Sequence, residues 1–463
     1  MNGFFGINIA RKALQTSQYA MDVTSHNIAN ANTPGYSRQR VIQGTTPSFP
    51  APSWNRPLIQ GQLGTGVEVH SIQRVRDSFY DGQIRRENQS LGGWETTQST
   101  LQQIETILNE PSDGGLHKAM GELWNSWQQL SKNPESLSMR TSVIETGRMV
   151  ATVFNQLDGK LTRVQANLNE QVAVKVSEIN TIARRISEIN RDVLRVKTYG
   201  AEPNDLLDER DLLVDKLSKM VDVQLREMDT GTLVVYINGA QLVSEYNHTE
   251  LETTANPLNN GYYDVRWKAS GLNATIYGGE LKGLTTMRDA TVPAYKGKLD
   301  TLAAALIDRV NSVHFVGIGL DGLAGRNFFA GTGAANIAIS ADMSDPRRIG
   351  ASLSGAVGDN ANALAIARIK DAFTMSGNTV TMDDYYRSIV TNLGVESQQA
   401  TRMLANGKLY FELIENHRQS VTGVSLDEEA TNMIKFQRAY QAAARLVNIY
   451  DEMLDVLINQ MVR

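Results

Sequence analysis

The 463-residue chain contains no cysteine, which removes disulfides, thiolate metal sites and cysteine nucleophiles from consideration together. No apolar run approaches the roughly 20 residues that span a bilayer, and Met1 to Ala20 has no apolar h-region behind a basic n-region. No membrane partner is expected, and passage out of the cytoplasm would need another export route. Lys and Arg never gather into a basic block and the net charge is -5, so no nucleic-acid partner is expected either.

Signals for chemistry are equally scarce. The six histidines, His26, His70, His117, His248, His314 and His417, show no metal-ligand spacing, and no Gly-x-Ser-x-Gly elbow occurs. They read as isolated surface or cap residues, so no catalytic residue, metal or cofactor is expected. Gly317 to Gly322 matches the dinucleotide fingerprint by letters, but a helix is expected before it and a glycine-rich loop continues through Leu323 to Asn327. A nucleotide-binding enzyme would require that loop to bind nucleotide, which a titration can decide. The cluster Asp205, Asp208, Glu209, Asp211 and Asp215 alternates with Leu206, Leu207, Leu212, Leu213 and Leu217, which predicts a solvated helix face rather than a cation site. Asp427, Glu428 and Glu429 follow Ser425 and read as the capped first turn of the last helix.

What the chain does have is helical periodicity. At 41% hydrophobic and 21% charged residues it can build two to four domains with real cores. Met433, Phe436, Tyr440, Ala443, Val447, Tyr450, Leu454, Leu457 and Met461 follow a three-four spacing, the narrow seam of a helix meant to meet another helix. A complementary row lies at the other end: Ile7, Leu14, Met21 and Ile28 fall seven apart, each followed three positions later by the smaller Ala10, Ser17, Thr24 and Ala31. Either helix alone is marginal, so both termini are expected to be loose in a free chain and ordered by helices of the same and neighbouring subunits.

Between these ends, Thr33-Pro34-Gly35 predicts a chain reversal, and the prolines and glycines from Gln43 to Val69 predict an irregular connector ending in a strand at Val67 to Ile72. Helix is expected near Asp77 and again from Leu101 to Leu130, broken at Pro111 to Gly115, with Trp124 and Trp127 as core anchors. A longer helix from about Thr141 to Val196 carries Val150, Phe154, Leu157, Leu161, Val164 and Leu168. After a stutter at Val172 it resumes through Ile179, Ile182, Ile186, Ile189, Val193 and Val196. After Pro203 a period of two, with Asn238-Gly239 and Asn260-Gly261 as turns, predicts a small antiparallel sheet up to about Gly283. Helix is expected from Leu284 to Val316 and from Ala361 to His417, with irregular chain between them.

The expected fold is mainly α with a small β-rich domain: an elongated molecule with terminal helices paired as a coiled-coil-like unit, a long helical stem and an antiparallel β tip farthest from the terminal pair. The expected division is a terminal assembly unit of residues 1–45 with 421–463, and a stem of 46–203, 284–316 and 361–420. An outer β-rich and loop-rich region takes 204–283 with 317–360.

The run Ser25-His26-Asn27-Ile28-Ala29-Asn30-Ala31-Asn32-Thr33-Pro34-Gly35-Tyr36-Ser37 resembles the N-terminal signature of the bacterial flagellar rod, hook and hook-associated protein family. Ser425 to Ala430, Phe436 to Ala442 and Leu454 to Asn459 are similar to its C-terminal signature. Trp124 to Leu130 with Asn133-Pro134 and Arg140, Asn204 to Asp211, and Asn327-Phe328-Phe329 resemble internal blocks of the hook-associated members that join hook to filament; a distal rod or hook subunit, the alternative, would lack these blocks. Larger members carry a further domain after the Phe-Phe block, whereas here Gly331 to Asn336 leads directly to Ile337 and Ser344-Asp345-Pro346, so that domain is missing or minimal. The resemblance implies a structural adaptor rather than an enzyme, exported by the flagellar type III pathway to the hook-filament junction outside the cell. It also implies self-assembly, with hook protein and the next hook-associated protein as neighbours and an export chaperone on the C-terminal helix.

Overall fold

The computed structural model describes residues 4–49, 63–108 and 115–456. The chain opens with α1 (Phe4–Asn30), the antiparallel pair β1 (Gln39–Thr45) and β2 (Val67–Arg74), then α2 (Ser78–Leu108), α3 (Leu116–Lys132) and the long α4 (Leu137–Thr198). After α5 (Asn204–Met220) come the three-stranded sheet β3 (Gln224–Glu227), β4 (Leu233–Ile237) and β5 (Ala240–Val243), and the pair β6 (Leu251–Ala255) and β7 (Tyr263–Trp267). Helix α6 (Gly279–Thr286) continues through a π-helical turn at Met287–Thr291 into α7 (Val292–His314). The two-residue strands β8 (Phe329–Ala330) and β9 (Ala338–Ile339) punctuate the loops before α8 (Ala361–Ala367), α9 (Met382–Thr422) and α10 (Leu426–Asp455). Among the described residues no helix is long and apolar enough to cross a membrane, and no group of three or more acidic or histidine side chains is placed to hold a metal.

The expected rod is α4. Ser136 caps it by accepting from the Met139 backbone N–H at 3.4 Å, and its 62 residues extend about 93 Å at ~1.5 Å rise. Val150, Phe154, Leu157, Leu161, Val164, Leu168, Val172, Ile179, Ile186, Ile189 and Val193 are all buried, so the stutter at Val172 leaves the helix unbroken. The same buried face carries asparagines that grip the sheets. Asn190 accepts from Leu233 N–H and donates to Leu233 C=O, Asn180 does the same for Leu251, and Asn169 accepts from Tyr263 N–H. Side-chain amides thereby replace ladder partners at the strand edges.

Those grips place the β layer. The small sheets expected as a tip lie along the C-terminal half of α4, held at its positions 169 to 190. The far end of α4 is closed instead by α3, α8 and the glycine-rich loops: Arg140 donates to Pro134 C=O at 2.7 Å and to Ile349 C=O at 2.6 Å. Residues 224–267 and 317–360, grouped above in one outer region, therefore pack at opposite ends of α4. Trp127 is fully buried at the far end, with the Phe328 ring 5.3 Å away and Phe329 packed edge-on against Phe328, as core anchors should be. Asn311 fixes this corner by accepting from both Phe328 and Phe329 N–H at 2.9 Å.

Asn238 and Gly239 adopt φ of 46° and 78° and turn β4 into β5, as their chemistry predicts. The chain expected to be irregular from Gln43 is strand as far as Thr45, and helix returns at Gly279 rather than Leu284. The stretch from Ala361 is broken between Asp371 and Met382, and α9 then runs past His417 to Thr422. His314, read as a surface or cap residue, is 1% exposed because both of its ring nitrogens find backbone partners in the core.

Candidate assembly site

Helices α1 and α10 lie antiparallel, with Gly6 against the Tyr450 ring at one end and Asn27 bonded to Glu429 at the other. A Cβ at Gly6 would overlap that ring, so glycine there lets the helices approach. The face of α1 that packs away from solvent is made of small residues, Ala10, Ser17, Ala20 and Thr24, with Val23. The large row remains partly in solvent: Ile7, Leu14 and Met21 are half-buried and Ile28 is 37% exposed. On α10, Met433, Phe436, Val447, Tyr450 and Leu454 are half-buried, Ala443 is buried and Tyr440 is 38% exposed. Leu457 and Met461 lie outside the described residues. The expected single stripe is too narrow a description, because Leu446, Ile449, Met453 and Val456 form a second, exposed apolar row at the same spacing.

The signature loop ties this pair to the stem. Gly35, at φ +83°, makes the reversal after α1. Buried Asn27 donates to Gln39 C=O and to the Glu429 carboxylate, while its Oδ1 accepts from Gln39 N–H at 2.9 Å and from the Tyr36 hydroxyl at 2.8 Å. Burial, with Asp205, Asp208 and Glu429 nearby, pushes the Tyr36 phenol well above its usual range and keeps it a neutral donor. Ser37 donates through both N–H and hydroxyl to Asp208, at 2.9 and 2.7 Å. Asn30 donates to His26 C=O and accepts from the Thr33 hydroxyl. Ala29, Asn32, Thr33, Pro34 and Gly35 remain exposed. The signature thus divides into a bonded half and a half facing solvent.

Asp208 belongs to the acidic face of α5, which is a buried ion-pair network and not the solvated face expected from its alternation with leucine. Arg74 reaches Asp208 and Asp211 at 2.8 Å each, Arg85 reaches Asp215 at 2.8 Å, and Arg418 reaches Asp215 at 2.7 Å. Arg76 closes the set with Asp81 at 2.6 Å and Asp211 at 3.3 Å. Burial alone would raise the Asp211 carboxyl, but Arg76, Arg74, Arg85 and Arg210 overcome it and hold it at about 2. Asp205, at the helix start, is exposed and takes the Gln39 amide at 2.8 Å, and Glu209 stays on the solvent side, paired with Arg185 at 2.7 Å. On α10, Ser425 caps the first turn by accepting from Glu428 N–H, as expected. Glu428 and Glu429 go further than capping and pair with Arg38 at 2.8 and 2.7 Å. One cluster therefore joins α1, α10, β2, α2, α5 and the end of α9.

The Gly317 loop offers no phosphate cradle. Its N–H groups at Gly317, Ile318, Gly319 and Leu320 donate to the carbonyls of His314, Ser352, Leu323 and Arg347, and helix α7 precedes it.

Three family models match the chain. The central part, residues 101–329, matches the flagellar hook-associated protein FlgK helical domain. Residues 7–36 match the flagella basal body rod protein model and 417–461 the flagellar basal body rod FlgEFG protein C-terminal model. Flagellar hook-associated protein 1 of Bacillus subtilis is 35% identical, with 99% of this chain and 98% of that protein covered. The protein of the same name from Salmonella typhimurium is 24% identical, with 98% and 99% covered. The solved flagellar hook junction protein FlgK of Burkholderia pseudomallei superposes with a TM-score of 0.67 at 15% identity over 73% of this chain and 100% of that one, a likeness of fold. These relatives are named for a structural component of the flagellum and not for a catalyst. The chain belongs to the flagellar hook-associated protein 1 family.

Proposed function

We propose that the protein is the structural adaptor that joins the flagellar hook to the filament, assembling outside the cell through its terminal helices. The observation that carries this reading is the unfinished α1–α10 pair: its large residues Ile7, Leu14, Met21 and Ile28 and the outer row Leu446, Ile449, Met453 and Val456 are only partly covered by the chain itself. Residues 1–45 with 421–463 form the assembly unit, and neighbouring copies complete its apolar faces through heterologous contacts. Met433, Phe436, Tyr440, Val447, Tyr450 and Leu454 are the α10 residues of that seam, and the sequence spacing adds Leu457 and Met461, which lie outside the described residues. Asn32, Thr33 and Pro34 line a cleft of about 710 Å³ against the corner of α9 and α10, where a neighbouring subunit can seat. Hook protein on one side and the next hook-associated protein and filament on the other are the neighbours this reading requires.

Export by the flagellar type III pathway fits membership of a flagellar family. An apolar face left open before assembly needs cover, so an export chaperone binds the C-terminal helix. Deleting residues 424–463 should abolish chaperone binding in a pull-down, and unchanged affinity would refute the assignment. Leu454→Asp or Leu457→Asp should block incorporation while leaving stem unfolding unchanged. Immunogold labelling of the wild type at the hook tip supports the adaptor; label spread along rod or hook overturns it.

A further inference from the structure

At the end of α4 away from the terminal pair, the glycine-rich chain from Gly317 to Asn360 covers the Trp127 and Phe328 core with little secondary structure of its own. What secures it is a small number of side chains acting on backbone atoms. His314, the last residue of α7, is central: its Nδ1 lies 2.8 Å from Arg326 C=O, and its Nε2 accepts from Gly350 N–H at 3.0 Å. The two bonds fix the tautomer, because a carbonyl needs a proton on Nδ1 and an amide N–H needs a lone pair on Nε2. Asn362 donates to Gly350 C=O at 2.6 Å, and Arg140 binds the adjacent Ile349 C=O.

We propose that His314 is an acid-sensitive latch: protonation of its Nε2 ejects the Gly350 N–H and releases the 317–360 cover from the far end of the stem while the terminal junction stays closed. An imidazolium cannot accept, so Gly350 N–H would be left buried and unpaired against a second donor. Its surroundings make the charge costlier. The rings packed on it are Trp127 of α3, at 72° to its plane, and Phe328, at 52°. The charged groups facing it are Arg326 and Arg140, which repel, and Asp342, which attracts, with Asp321 engaged by Arg326 at 2.6 Å. Burial first, and then Arg326 and Arg140, lower the His314 pKa to about 4. The junction at the other end has a different threshold, since its Asp211 carboxyl is held at about 2. From 6.5, where an open form takes up its proton, down to about 4, the far end of the stem therefore responds to acid while the Asp211 junction does not.

The sign follows from linkage. A closed form that binds its proton at about 4 and an open form that binds at the ordinary 6.5 shift toward opening by about thirtyfold between pH 7.5 and pH 5. Hydrogen exchange on the full chain, corrected for intrinsic rates, should therefore show peptides of 317–360 losing protection by about that factor, with α5 peptides unchanged. Retained protection at 317–360, or loss at both ends in one step, overturns the latch. His314→Gln supplies a neutral acceptor for Gly350 N–H and should keep the cover closed at pH 5. Should that variant open at both pH values, the wild-type imidazole decides through its ring ¹⁵N shift: a neutral His314 at pH 5.5 upholds the proposal, and titration near 6.5 ends it.

Discussion

The Asn27 side-chain amide donates to the Glu429 carboxylate at 3.0 Å, joining residues 402 positions apart and locking the base of α1 to the base of α10. Both groups are almost completely buried, and each has a second duty: Asn27 holds the signature loop through Gln39, and Glu429 takes Arg38. Substituting Asn27→Ala should cost about 2 to 3 kcal/mol, the range for losing a hydrogen bond to a buried charge. Hydrogen exchange should show the loss confined to residues 26–45 and the first turns of α10, with α4 unaffected.

Asp208 and Asp205 lie one helical turn apart on α5 but in opposite surroundings. Asp208→Asn should destabilise the junction by about 3 kcal/mol, since it leaves Arg74 and both Ser37 donors short of a carboxylate. Asp205→Asn, at an exposed carboxylate, should cost less than about 1 kcal/mol. Urea titrations followed by exchange in α5 compare the two, and equal effects would contradict the account of the network.

Acid should act on this junction late. The Asp211 carboxyl is depressed from 3.8 to about 2, so its contribution of about 2 kcal/mol is present above pH ~4 and lost as the pH falls through about 2. Protection in α5 measured from pH 5 down to pH 2 should hold at first and drop at the acid end of that range. A drop already complete at pH 4 would contradict it.

Asn190 holds the three-stranded sheet of β3, β4 and β5. It is fully buried on α4 and satisfies Leu233 N–H and C=O together with Ser244 C=O. Asn190→Ala should leave these backbone groups unpaired and cost about 2 to 3 kcal/mol. Strands β3 to β5 should then exchange before α4 does.

Much of the helical architecture is legible in the sequence because long apolar periods leave few alternatives. The α4 seam from Val150 to Val193 and the Asn238-Gly239 turn both emerge from local spacing. The α5 network does not, because its arginines, Arg74, Arg85 and Arg418, lie 126 to 203 positions from the aspartates they neutralise. Without those partners an acidic amphipathic helix reads as solvated. The burial of His314 is invisible in the sequence for a related reason: its partners are backbone atoms, which carry no sequence signal. The asparagines of α4 leave a fainter mark: Asn169, Asn180 and Asn190 recur at intervals of about three turns along a mostly apolar seam. That recurrence is the signal the sequence offers.

Assembly as proposed requires the terminal helices to be completed by other subunits. Hydrogen exchange on the purified solitary chain and on the same chain in isolated hook-filament junctions tests this directly. The expected result is weak protection of residues 4–30 and 426–455 in the solitary chain, rising strongly on assembly. Equal and strong protection in both states would contradict it.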